Sequence, residues 1–231
     1  MSTIEDNPVE GSPLLAFFPR VWNAVNGPDT YLPLYLSLTL FMSGYLYCLV
    51  VGKRFNKFAA MHHIHNFGVI ILGFTGLYFD DNSVLRERTT GLFTCGYFIV
   101  DLVENATNLD LPYTLHAIAC LIVAPINFTD PIFLKLRMES KATMMELSSP
   151  FLHLSQYTRK PLHFVMFFLV FTGCRIIWLP VLMRQLYLNG LPLSDPKQMF
   201  IVAFYGLNLF WYSKIVRILI QGREPTKSKT L

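Results

Sequence analysis

Apolar residues in this chain gather in long runs broken by short polar interruptions. Seven segments stand out, at 31–51, 57–79, 91–109, 112–128, 141–157, 161–187 and 197–221. A helix rising about 1.5 Å per residue needs roughly 20 such residues to cross about 30 Å of hydrocarbon, so each run is predicted to be a membrane-spanning helix. Prolines mark several starts: Pro112 follows Asp110-Leu111, Pro161 follows Lys160, and Asp195-Pro196 precedes the last run. In the first turn of a helix the missing proline N–H costs little. The fourth run is short and Pro125 and Pro131 crowd its end, so residues 129–140 (TDPIFLKLRMES) are predicted as a surface or half-buried helix before the fifth. The pattern predicts an all-α, multi-pass membrane protein with about seven transmembrane helices.

Composition agrees with this reading. Of 231 residues, 53% are hydrophobic and 15% charged, and the mean hydropathy is +0.41, which leaves no soluble domain of useful size. Residues 1–30 form a polar N-terminal tail without the basic start of a cleavable leader, so the first span is expected to act as an uncleaved signal. The four cysteines (Cys48, Cys95, Cys120, Cys174) fall inside apolar runs without CxxC spacing and read as small hydrophobes. No nucleotide or nucleic-acid motif accompanies the net charge of +4, which is expected to reflect topology and tail.

Lysines and arginines sort the two faces. One side collects Lys53, Arg54, Lys57, Arg159, Lys160, Lys214, Arg217, Arg223, Lys227 and Lys229; the other holds eight, mixed with most of the loop acids. Positive-inside logic then places the C-terminus in the cytosol. There the basic tail, residues 223–231, ends KSKTL. Lys227 and Lys229 have the K-x-K-x-x spacing of a retrieval signal for the endoplasmic reticulum, read by a coat complex. A basic tail that only fixes topology is the other reading of the same residues. Asn127-Phe128-Thr129 is a glycosylation sequon on the opposite side, too near the membrane to weigh much.

Polar side chains within spans are costly unless they face the bundle interior, so their spacing locates that interior. Asp101, Glu104, Asn105 and Asn108 step by three, one and three along one helix face; Glu146, Ser149, His153 and Gln156 form a second stripe, and Tyr205, Asn208 and Tyr212 a third. Arg175 stands alone in the sixth run. With His62, His63, His65, Asn66 and His116 these stripes predict helices around a polar core. Interhelical hydrogen bonds explain any one of them, but three carboxylates, an arginine and several histidines exceed what packing requires. The triplet in MHHIHNFG (61–68) puts His62 and His65 on one face and His63 about 100° away. It lacks the repeated HxxHH boxes of membrane di-iron oxidases. A single-metal site from His62, His65 and a carboxylate has no support in the spacing, and no metal ligand is assigned.

Several phrases, read in order, resemble the TLC domain, the homology region shared by ceramide synthases, translocon-associated membrane proteins and small multi-span lipid-related proteins. They are Asn56-Lys57 followed by His63, GYFIVD at 96–101, ELSSPFL at 146–152, and LNLFWY at 207–212 followed by Lys214-Ile215. The likeness covers 52–222 and is greatest to the small TLC domain-containing proteins. It implies a barrel of six helices around a lipid-accessible cavity, with the helix at 31–51 peripheral to it. It also implies a site. Ceramide synthases carry two adjacent histidines at the start of the fourth span, whereas here His116 is followed by Ala117. The two-histidine acyl-transfer mechanism is therefore not open to this chain, unless His63 substitutes from the neighbouring span.

The function expected on these grounds is lipid binding or handling in the endoplasmic-reticulum membrane, other than ceramide synthesis. His116 and Asp101 are the candidate functional centre with His63. Glu104, Glu146, His153, Arg175 and Asn208 complete the polar core, Glu146 as a structural partner for Arg175. No cofactor is expected, and membrane lipids are the expected partners. Two alternatives stay open: an acyltransferase using acyl-CoA as co-substrate with His116 as the reacting group, and a sorting or interaction protein with a structural core.

Overall fold

In a computed structural model that describes residues 31–51, 59–79 and 83–222, the long apolar runs are helical. Helix α1 spans Leu32–Val51, α2 Ala59–Tyr78, α3 Ser83–Thr107 and α4 Leu111–Thr129. Residues 129–140, expected as one helix, make two short ones, α5 (Pro131–Leu136) and the start of α6 (Met138–Thr143). The break falls at Arg137, whose φ of 54° and ψ of 49° are left-handed. The predicted fifth run is interrupted as well: a 3-10 turn, Met144–Leu147, precedes α7 (Ser148–Thr158). Pro150 offers no N–H to the Glu146 carbonyl, and the tighter turn accommodates that loss.

The sixth run holds α8 (Pro161–Phe171) and α9 (Trp178–Leu188), joined by a wide π turn, Thr172–Ile177. Its cause lies one turn on. Pro180 has no N–H for the Ile176 carbonyl, and the Tyr205 hydroxyl donates to that oxygen instead, at 3.3 Å. The last helix, α10, covers Pro196–Gln221. The tail with Arg223, Lys227 and Lys229, the N-terminal tail and Asn56-Lys57 lie outside the described residues.

Among the described residues, four stretches are long and apolar enough to cross a membrane: Leu32–Val51, Leu111–Thr129, Pro161–Leu188 and Pro196–Gln221. Helix α2 carries histidines and α3 has Arg86, Glu87, Arg88, Asp101 and Glu104, which lower their apolar content. Yet α2 shows a sharp division of faces. Ile64, Phe67, Ile71 and Phe74 point outward, while His65, Asn66 and Val69 are buried. An apolar exterior around a polar interior inverts the usual soluble arrangement and is what lipid solvation demands.

Helix α3 packs between α1 and α4. Phe41 of α1, Tyr97, Phe98 and Val100 of α3 and Ala117 of α4 share one buried cluster. A second joins Phe133, Met138 and Met145 to Leu179, Leu182, Leu186 and Ile201, and a third joins Phe167, Phe171 and Ile215. The first cluster depends on a close approach: a Cβ on Gly96 would lie 2.8 Å from the Leu38 nitrogen and 2.5 Å from Ser37 Oγ.

Buried polar groups at the other end of α3 are paired. Glu87 accepts from the Ser140 nitrogen at 3.1 Å and from its hydroxyl. Asn127 donates to Glu139 at 2.6 Å and is 3% exposed, so the amide of the sequon is committed inside the fold.

Asp130 caps α5, accepting from Ile132 N at 2.8 Å and Phe133 N at 3.3 Å, and pairs with Lys197 of α10. Burial raises its carboxyl, but Lys197 and the two N–H groups outweigh burial and hold it below its ordinary value. A depressed folded pKa gives stability that is present above the unfolded value, about 3.9, and lost as pH falls through the folded one. Asp130→Ala is therefore expected to cost about 0.5–2 kcal/mol at neutral pH. In denaturant unfolding the gap from wild type should close as pH falls below 4, roughly the ordinary carboxylate value.

Candidate functional site

Two of the three polar stripes converge on a cavity of about 540 Å³ between the helices, within the range of small-molecule sites. Helix α2 supplies His62, His65 and Asn66, and α3 supplies Tyr97, Phe98, Asp101, Glu104 and Asn105. Tyr113 and His116 come from α4. Glu146, Ser149, His153 and Gln156, the whole stripe expected of the fifth run, border the cavity. Its apolar wall is built from Phe164, Phe167 and Phe171 with Trp211, Ile215 and Ile218 of α10.

Arg175 anchors the floor. It is 6% exposed and points out of the π turn toward Glu146, with Nη2 donating to Oε1 at 3.0 Å. Its Nε donates to Ser148 Oγ at 3.0 Å and its Nη1 to Asn208 Oδ1 at 3.4 Å, and its guanidinium stands 5.5 Å from the Phe171 ring centroid. The expected Glu146–Arg175 partnership is thus present, extended by a serine and an amide. Ser149 donates to the other oxygen of Glu146 at 2.6 Å. A buried arginine is tolerable in such surroundings because its donors and its charge are both answered.

His116 and Asp101 border the same cavity on different helices without touching. The His116 ring stacks on Phe204 and meets Trp211 and Phe98 edge-on, and its Nε2 is 3.8 Å from Cys120 Sγ. Asp101 accepts from the Tyr97 hydroxyl at 3.4 Å, and Asn105 donates to its backbone carbonyl at 2.8 Å. His63 lies against His153, ring centroids 4.5 Å apart, and is not among the residues lining the cavity. It is His62 and His65 that border the cavity. Asn208 serves Arg175, and its neighbours in the third stripe turn to helix packing: Tyr205 to the π turn, Tyr212 to Phe168 and Phe171.

The neighbouring Ala117 is fully buried in the cluster with Phe41 and Phe98. An imidazole has no room there, so the departure from a histidine pair is built into the packing.

Other cavity residues went unassigned from the sequence. Tyr97 lies four residues before Asp101, and Tyr113 three before His116, both on the face their partners share. Those spacings are the signal that could have found them. His62, Asp101 and Glu104 place one ligand atom each within 4.8 Å of one another, the group among the described residues best arranged to hold a metal.

An all-helical chain with an apolar exterior, several membrane-length helices and a polar internal cavity is a multi-pass membrane protein. A family model described as TLC domain matches residues 81–217, more than half of the sequence. The chain belongs to the TLC-domain family. No curated protein and no solved structure matches it.

Proposed function

We propose that this protein spans the endoplasmic-reticulum membrane seven times, its helices from α2 onward closing a TLC barrel that binds and handles lipid, with α1 peripheral and the C-terminus cytosolic. The observation that carries this reading is the cavity: aromatic and branched apolar walls on α8 and α10 face a convergent set of histidines and carboxylates on α2, α3 and α4. Apolar walls suit an acyl chain, and a few fixed polar groups suit a headgroup. The basic residues between and after the spans support the orientation, and the KSKTL ending supports the location. Coat-complex recognition of Lys227 and Lys229 follows from the same ending.

Mass spectrometry of lipid extracted from the purified protein is expected to show one lipid class enriched over the surrounding detergent and membrane. Phe167→Arg, which drives a charge into the apolar wall, is expected to lower that enrichment at least severalfold. A lipid profile identical to bulk membrane overturns the reading.

A second reading is supported by His116, which faces the cavity within an aromatic frame: transfer of an acyl group from acyl-CoA to a lipid amine or hydroxyl, with His116 as the reacting group. Equal product from wild type and His116→Ala in an acyl-transfer screen removes it. For the third reading, a sorting role, the discriminating result is that Lys227 and Lys229 matter in cells while substitutions at the cavity do not.

A further inference from the structure

Among the described residues, four acidic side chains border the cavity against two basic ones. Asp101, Glu104, Asp110 and Glu146 face Arg175 and Lys214. Arg175 is bound to Glu146, and Lys214 stands over the Phe210 ring, 4.2 Å from its centroid. Of these acids Asp101 and Glu104 stand on α3, where it meets α2.

The geometry there goes further than charge. Asp101 and Glu104 stand three residues apart on one face of α3. Across from them α2 presents His62, and the three ligand atoms lie within 4.8 Å of one another. The Tyr97 hydroxyl contacts His62 Nδ1 and donates to Asp101 at 3.4 Å, so one tyrosine orients two members of the group. Its ring is held in turn by His65, stacked on it at 3.8 Å. Such outer-shell contacts are what fix metal-binding imidazoles and carboxylates in place.

A second observation points the same way. His65, one turn from His62 on the cavity wall, is 2% exposed, and its Nε2 has no hydrogen-bond partner. A buried imidazole nitrogen without a partner is costly in a finished core. It is a nitrogen donor left at the edge of a cavity that already gathers carboxylates.

We infer that His62, Asp101 and Glu104 bind one divalent cation of the zinc type at the wall of the cavity. One imidazole and two carboxylates exceed the oxygen-only preference of calcium and magnesium and match zinc, whose bonds to nitrogen and oxygen are about 2.0–2.2 Å. Modest side-chain rotation closes the present spacing to those lengths. Three protein ligands leave a coordination position turned toward the cavity, open to water or to an oxygen of a bound molecule. The spacing of MHHIHNFG could not show this, because two of the ligands come from the next helix.

The test uses the full chain in detergent, stripped with a chelator and dialysed against micromolar Zn²⁺. Bound zinc is measured by elemental mass spectrometry and lipid by phosphorus and fatty-acid content, so metal and lipid readings can fail separately. Wild type is expected to retain one zinc per chain. Asp101→Asn and Glu104→Gln are each expected to weaken retention by roughly tenfold or more, whereas Ser213→Ala, outside the cavity lining, retains it. Co²⁺ loaded into wild type is expected to give a visible ligand-field band that Zn²⁺ displaces, which needs no variant to fold. Substoichiometric zinc in wild type, equal zinc in both carboxylate variants, or Co²⁺ without a displaceable band overturns the site.

Discussion

Replacing Glu146 with leucine is expected to destabilise the folded protein by about 3–5 kcal/mol, and replacing Arg175 with methionine in the same chain to restore most of that loss. The single change leaves the Arg175 guanidinium buried, with Ser148 and Asn208 as neutral acceptors and no opposing charge. The double change removes both charges from a site lined by Phe167 and Phe171, where methionine and leucine pack without a desolvation penalty. Denaturant unfolding in one detergent, followed by helical circular dichroism, completes the cycle. Additive losses in the double variant would falsify a mutually compensated pair.

The second large effect concerns a residue with no side chain. Gly96→Ala adds one methyl group, which in an open helix interior stabilises by up to about 1 kcal/mol. Here that methyl would lie 2.8 Å from the Leu38 backbone nitrogen and 2.6 Å from Ser37 Cβ. Backbone cannot rotate aside, so α1 must move off α3 and the sign reverses to a loss of about 1–3 kcal/mol. Gly206→Ala supplies the contrast: a Cβ there meets nothing within 4 Å, and the variant is expected to match or exceed wild type. Thermal unfolding of the two variants side by side decides the point, and equal shifts would remove the close α1–α3 contact as the cause.

Much of this architecture was legible before any coordinates. Hydrophobic runs located the helices because membrane-length apolar stretches have few other solutions. The stripe Glu146, Ser149, His153, Gln156 reached the cavity intact, since charge within an apolar run must face inward. Residues 138–158 were less legible. The left-handed Arg137 just before them splits the helix expected at 129–140, and a 3-10 turn at Met144–Leu147 breaks the run expected at 141–157.

The site was harder to read for a different reason. Spacing reports which residues share a helix face, but not how that helix is rotated against its neighbours. His63 and His62 are adjacent in the chain and both lie against His153, yet only His62 also meets Tyr97 and borders the cavity. In the same way Tyr205, Asn208 and Tyr212 read as a cavity stripe, whereas α10 turns Trp211, Lys214, Ile215 and Ile218 to the cavity.

The π turn at Thr172–Ile177 has a consequence for how the chain can change length. A π turn holds one residue more than the α-helical path between the same points. That surplus sets the angular register of everything downstream: Leu179, Leu182 and Leu186 meet Phe133 and Met138 only because the extra residue has been absorbed upstream. Deleting Gly173, where an added Cβ would meet nothing within 4 Å, would straighten the helix and swing Arg175 away from Glu146. The segment from Pro161 to Leu188 therefore cannot lose a single residue at its least crowded position without disconnecting the floor of the cavity.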